Sequence, residues 1–250
     1  MDTNKRMFRF LNYDLILGSL AFWGIMLLIN IISIFMQHII TSNILMGPVN
    51  QGEFAMSFVG TNFIAVLVFF IVYGLEMYYE NFSLAVGFGG TRKNFYINVL
   101  ISNLLVAIIF SSIQMVLLKL DNFLVSSLGY KPLENYGFFN TSDNLLNNIL
   151  VLTFLLLVLA SLTNLLGVMQ YRFGYKFWIG LGVLILIGQM IFNFLERFIM
   201  SVVDIEGFVN TIIEDIPSIS FPSKTYLIGL FIISISYLIG YLFIRRADIK

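Results

Sequence analysis

The sequence has no cysteine, which excludes disulfides, thiolate metal sites and cysteine nucleophiles. It has one histidine, His38, so a metalloprotease built on a His-Glu cluster is excluded too. A metal site made of protein groups would have to rest on carboxylates, a poor donor set for zinc. Charge is scarce, at 11% of residues, against roughly 25% in an ordinary soluble domain. Basic and acidic residues balance at 14 each, and the absence of a basic stripe argues against nucleic acid as a partner. What is abundant is apolar: 59% of the 250 residues are hydrophobic, with mean hydropathy +0.91. Small soluble domains leave too much surface wet to hide such a composition. The sequence therefore calls for a lipid bilayer as solvent and partner.

A helix needs roughly 20 apolar residues to cross the hydrocarbon core. Six stretches meet that length: Leu15–Met36, Phe58–Tyr78, Phe95–Leu118, Leu145–Met169, Phe177–Phe198 and Tyr226–Ile244. Only Glu76, Glu196 and Arg197 put charges inside them, each near an end. The expected fold is all-α: a polytopic membrane protein with six transmembrane helices in one transmembrane domain, residues 1–250. The first stretch does not read as a cleaved signal peptide. It is too long, and Gln37-His38-Ile39-Ile40 lacks the small-residue cleavage pattern.

Lys and Arg set the expected orientation. Lys5, Arg6, Arg9, Arg92, Lys93, Arg172, Lys176, Arg245, Arg246 and Lys250 fall on one side, ten in all. Lys119, Lys131, Arg197 and Lys224 make four on the other. Six crossings of a plasma membrane then place both termini in the cytoplasm. Asp121, Glu134, Asp143, Asp204, Glu206, Glu214 and Asp215 gather on the outer side.

Three segments outside the spans carry information. Residues 1–14 mix basic and aromatic groups, with Lys5, Arg6, Phe8 and Arg9 among them. They read as a short helix in the cytoplasmic interface that turns into the first span. Residues 200–224 keep apolar positions at helical spacing, Val202, Ile205, Phe208, Val209, Ile212, Ile213 and Ile216, until Pro217 and Pro222. They predict one or two short outer amphipathic helices. Residues 80–94 form a cytoplasmic connection with an apolar patch, Phe82, Leu84, Ala85, Val86 and Phe88. Asn81 is placed to cap its start, Gly89-Gly90 to end it, and Thr91 to cap the third span. Phe82 and Phe88 facing water would need something to cover them.

Catalytic templates fail. Gly87-Phe88-Gly89-Gly90-Thr91-Arg92-Lys93 lacks the spacing of a P-loop and has Arg92 where a dinucleotide fingerprint needs its third glycine. None of the six stretches has the interior aspartates an aspartyl intramembrane protease needs, and His38 stands at the far end of the first. Polar residues within the stretches include Asn30, Asn62, Gln114, Ser161, Thr163, Asn164, Gln189 and Asn193. Such groups hydrogen-bond between helices, and a subset lining a path or a subunit interface is the functional alternative. So few ionisable groups at mid-span argue against an ion-coupled carrier.

The stretch Glu80-Asn81-Phe82-Ser83-Leu84-Ala85-Val86-Gly87-Phe88-Gly89-Gly90-Thr91-Arg92-Lys93-Asn94-Phe95, with the six apolar stretches around it, resembles the membrane subunit of a type-two ATP-binding-cassette exporter. It looks like the compact six-span form common in Gram-positive bacteria. The resemblance implies a coupling element at Glu80, Phe82, Val86, Phe88, Arg92 and Lys93, docked with the N-terminal helix on a separate cytoplasmic ATPase subunit. ATP and Mg would bind in that partner and no cofactor in this chain, which would not be an enzyme by itself. A second membrane subunit, identical or related, would complete the complex. The branch that exports amphipathic peptides, such as phenol-soluble modulins, or gives bacteriocin immunity, supplies the expected cargo. Asn30, Asn62, Gln114, Thr163, Asn164, Gln189 and Asn193 are the candidate path or interface residues. A secondary carrier without ATPase, or a non-transporting membrane sensor or assembly protein, are the alternatives.

Overall fold

The computed structural model describes the backbone of residues 3–43, 55–79, 81–202 and 223–245, and side chains within 6–36, 55–79, 81–191 and 225–245. Seven helices occupy these residues: α1 (Thr3–Asn43), α2 (Asn62–Tyr79), α3 (Asn81–Gly87), α4 (Arg92–Ser127), α5 (Leu145–Phe173), α6 (Tyr175–Val202) and α7 (Ser223–Arg245). Two strands of two residues, β1 (Ala55–Met56) and β2 (Lys131–Pro132), pair in parallel, with Ala55 opposite Lys131. Among the described residues, five helical segments are long and apolar enough to cross a membrane: α1, α2 taken together with α3, α4, α5 and α7. In α6 the portion whose side chains are described, Tyr175–Ile191, is apolar as well. This architecture is compatible with a membrane protein.

Many α2 residues are Val, Ile, Phe and Tyr, mediocre helix formers in water. In hydrocarbon the ranking matters less, because each backbone N–H and C=O must be satisfied inside its own segment. The ends are set by polar chemistry. Asn144 caps α5, its side chain accepting from the Leu146 N–H at 3.1 Å. Gly129, at φ 83°, closes α4, and the Tyr130 N–H donates back to the Val125 carbonyl at 3.1 Å.

α5 is the central helix, packed against α2, α4 and α7. Where α2 meets α5, a Cβ on Gly74 would lie 2.5 Å from Thr163 Oγ1, and one on Gly167 would overlap the Gly74 carbonyl oxygen. Such small-residue contacts hold helices together in lipid, which offers no hydrophobic drive between them. The core divides in two. One cluster holds Trp23, Phe70, Phe110, Met115, Leu118 and Leu156. The other, beside α3, holds Met7, Leu11, Tyr78, Phe82, Phe95, Tyr171 and Ile244.

The bundle has two distinguishable ends. At the strand end, the Ser57 hydroxyl donates to Asp121 Oδ2 at 2.6 Å and the Phe58 N–H to Oδ1 at 3.2 Å. Gln114 Nε2 donates to the Val59 carbonyl at 3.2 Å, and the Leu133 N–H to that of Met56 at 2.9 Å. At the α3 end, Met7 lies against Gly90, and an Arg92 guanidinium nitrogen donates to the Arg245 carbonyl at 2.8 Å. The start of α1 and the end of α7 therefore share the α3 end.

Three expectations change. The N-terminal residues do not form a separate interfacial helix: from Thr3 onward they belong to α1, because no glycine or proline interrupts the chain before Gly18. Asp121, counted among the outer acids, is buried, 1% exposed inside the last turns of α4; two donors replace its water. The β1–β2 pair is additional to an all-α reading. The core of the 200–224 segment, residues 203–222, lies outside the described residues.

Candidate functional site

The connection at the α3 end is a helix of seven residues braced from below. Phe82 is fully buried, edge-on to Phe95 at 5.2 Å and to Tyr171 at 5.0 Å between centroids. The sequence reading that put Phe82 in water is thus corrected: α3 turns its Phe82–Ala85 face onto α4 and α5. Phe88 does face out. It is 77% exposed, with only the Phe10 ring edge-on at 6.4 Å.

Gly89 stands at φ 85°, open to glycine at little cost. Gly90 is needed for closeness instead, since a Cβ there would overlap the Met7 side chain and sit 2.5 Å from the Ala85 carbonyl. Thr91 caps α4 as expected, its hydroxyl accepting from the Asn94 N–H at 3.2 Å. Asn81 is the first helical residue of α3, and its side chain turns back to the Met77 sulfur at 3.9 Å.

Among the other expected coupling residues, Val86 is half-buried, Arg92 is held against α7, and Lys93 is exposed. Glu80 and the Lys5 side chain lie outside the described residues. Arg6 and Arg9 are exposed and Phe8 half-buried on the first turns of α1. Two open grooves flank α3. One, of about 350 Å³, runs between α1 and α3 and is lined by Arg6, Met7, Phe10, Ala85, Phe88 and Gly90. The other, of about 520 Å³, lies towards the α5–α6 joint and is lined by Tyr79, Ser83, Gln170, Tyr171, Gly174, Tyr175 and Trp178.

The expected polar residues do not form one path. Asn164 and Thr163 sit in the α2–α5 seam; Thr163 bonds back to its own helix at Leu159 and Ala160. Asn164 is the hub of a buried network. The Tyr78 hydroxyl donates to Asn164 Oδ1 at 2.5 Å, and Asn164 Nδ2 donates to the Tyr96 hydroxyl at 3.2 Å. Tyr96 donates to the Tyr237 carbonyl at 2.7 Å, and Asn103 Nδ2 to the Tyr237 hydroxyl at 3.1 Å. These bonds join α2, α4, α5 and α7 at one level.

Gln114 belongs to the strand end, its Oε1 unpaired. Asn30 and Asn62 are buried with both amide atoms unpaired. Gln189 is exposed on α6, and the Asn193 side chain lies outside the described residues. The reading missed Tyr78, Tyr96, Asn103 and Tyr237, because tyrosines inside apolar runs give no sign of which face meets an amide. No group of three or more metal-ligating side chains occurs among the described residues.

Compared with family models, with curated proteins and with solved structures, the chain finds no match.

The network yields a measurable expectation. Tyr78→Phe removes the bond to Asn164 while keeping the ring, and should cost about 1 kcal/mol, the usual scale of interhelical hydrogen bonds in membranes. Thermal unfolding in detergent should show a lowered midpoint. An unchanged midpoint would mean that the network does not hold α2 to α5.

Proposed function

We propose that the chain is the membrane subunit of an ATP-driven exporter, with six transmembrane helices, cytoplasmic termini and α3 as the lever touched by a separate ATPase. One observation carries this reading: Phe88 is displayed outward at the turn that ends α3, a helix whose inner face is anchored by Phe82. A lever needs both a rigid root and a free contact, and α3 has the first on its buried face and the second in the turn at its end. The flanking grooves and the exposed Arg6 and Lys93 give a partner further surface. The resemblance of residues 80–94 to the coupling element of type-two exporters supports the same assignment. ATP-driven closure of the ATPase pair would push α3, and rigid helices would change their mutual packing. Exposed apolar side chains on α1 and α6, such as Leu17, Leu28, Leu184 and Met190, are free for lipid and for a second membrane subunit. Amphipathic peptides are the proposed cargo.

Purification of the tagged chain from native membranes tests this. A soluble ATP-binding-cassette subunit should co-purify, with ATP turnover in the complex and none in the isolated chain. Robust turnover by the isolated chain, lost on Lys93→Ala, would reverse the reading. Topology is checked separately, since the chain has no cysteine of its own. In intact cells a single cysteine at position 210 should label and one at position 92 should not; the opposite pattern would invert the orientation.

A further inference from the structure

Of the arginines at the α3 end whose side chains are described, Arg92 spends a donor on the Arg245 carbonyl, and Arg6, Arg9 and Arg245 are exposed. Arg172, in the last turn of α5, is placed differently. It is half-buried, and its guanidinium carbon lies 5.3 Å from the Phe173 ring centre and 5.1 Å from that of Phe243 on α7. The two rings meet edge to face at 5.9 Å. Among the described residues no acceptor takes a hydrogen bond from this guanidinium and no carboxylate pairs with it.

Rings that hold a guanidinium leave its N–H donors unspent, and a planar fork of donors matches the oxygens of a phosphate two at a time. An arginine that only offset the negative end of α5 would need no rings from two helices to fix it. The flank of α7 supplies a second observation. From Phe243 back along the helix, Ile239, Ile235, Ile232 and Ile228 recur at steps of four and three. Ile228 and Ile235 are exposed, the other two half-buried. This stripe runs about 22 Å at 1.5 Å per residue, more than one leaflet's share of a hydrocarbon core roughly 30 Å thick. Unspent phosphate donors thus stand at the end of an apolar lane long enough for an acyl chain.

We propose that Arg172 binds the phosphate of an anionic phospholipid in the leaflet at the α3 end, with Phe173 and Phe243 holding the guanidinium and one acyl chain lying along the isoleucine stripe of α7. Charge decides for an anionic lipid over a zwitterionic one. The described side chains of this end include Arg6, Arg9, Arg92, Lys93, Lys176 and Arg245 besides Arg172, against Asp14 and Glu76. A headgroup that brings its own ammonium gains less from such surroundings. The site is built from α5 and α7 alone, so it does not depend on the exporter reading or on any ATPase.

The test titrates the full chain, purified in dodecyl maltoside, with phosphatidylglycerol or with phosphatidylcholine of the same acyl chains. Native mass spectrometry counts the lipids that stay bound. One phosphatidylglycerol should be retained under conditions that strip phosphatidylcholine. Arg172→Lys keeps the charge but loses the flat fork, and should weaken retention about tenfold, the scale of losing charge-assisted paired contacts. Phe243→Leu frees the guanidinium and should act in the same direction, while Arg9→Ala should bind like the parent. Thermal midpoints of the variants separate lost binding from lost folding, and the comparison of the two lipids on the parent chain needs no variant at all. Equal retention of both lipids by the parent, or an Arg172→Lys protein that folds and binds like it, would overturn the site, since positive charge alone would then suffice. Displacement of the lipid by an equal concentration of glycerol 3-phosphate would assign Arg172 to a free phosphate and overturn the lipid.

Discussion

Gly167→Leu is expected to prevent α2 and α5 from docking. A Cβ at Gly167 already overlaps the Gly74 carbonyl oxygen, which belongs to backbone and cannot rotate away. Accommodating a whole side chain would force the two helices apart along the seam that also holds Thr163 and the Tyr78–Asn164 bond. Overpacking a tight site costs roughly 1–3 kcal/mol when side chains can yield, and here the obstacle is main chain, so the loss should reach or exceed the upper figure. The measurement is the fraction of monodisperse protein after solubilisation, with its thermal midpoint. Gly188→Leu is the control, since nothing lies within 4 Å of that position. Equal behaviour of the two variants would mean that the α2–α5 seam is not closely packed.

Phe82 and Phe88 should separate stability from partnership. Phe82→Ala empties a fully buried site between Phe95 and Tyr171, and truncations of that kind cost about 3–5 kcal/mol. Low yield and a lowered midpoint are expected. Phe88→Ala removes an exposed ring and should leave both unchanged. If α3 is the lever of an ATPase-driven pump, Phe88→Ala should nonetheless lose the co-purifying ATPase, as an aromatic anchor can cost over about 2 kcal/mol when truncated. A Phe88→Ala protein that keeps its ATPase and its transport would remove α3 as the contact. A Phe82→Ala protein as stable as the parent would contradict the buried brace.

The helices were legible because each long apolar run has one way to satisfy its backbone in lipid. Thr91 was legible because its hydroxyl caps through local geometry. Phe82 was misread for the opposite reason. It sits in a short connection outside the six apolar stretches, and only the arrival of Phe95 and Tyr171 from α4 and α5 buries it. Asp14, just before the first stretch, and Glu76, near the end of the second, share the lining of one crevice only through packing. Two-residue strands carry no alternation to detect. Asp121 looked like an ordinary outer acid because its two donors, at Ser57 and Phe58, come from more than 60 positions away.

The β1–β2 pair bears on the order in which the chain assembles. Joining Ala55 to Lys131 closes a loop of about 75 residues, whose ends meet only against a chain-entropy cost. That loop contains the whole of α2, α3 and α4, so the strands can meet only after α2 and α4 have docked antiparallel. Backbone amides paired there, Leu133 to Met56 among them, should gain protection from hydrogen exchange after those of the helices. Their protection would serve as a clock for the completed bundle.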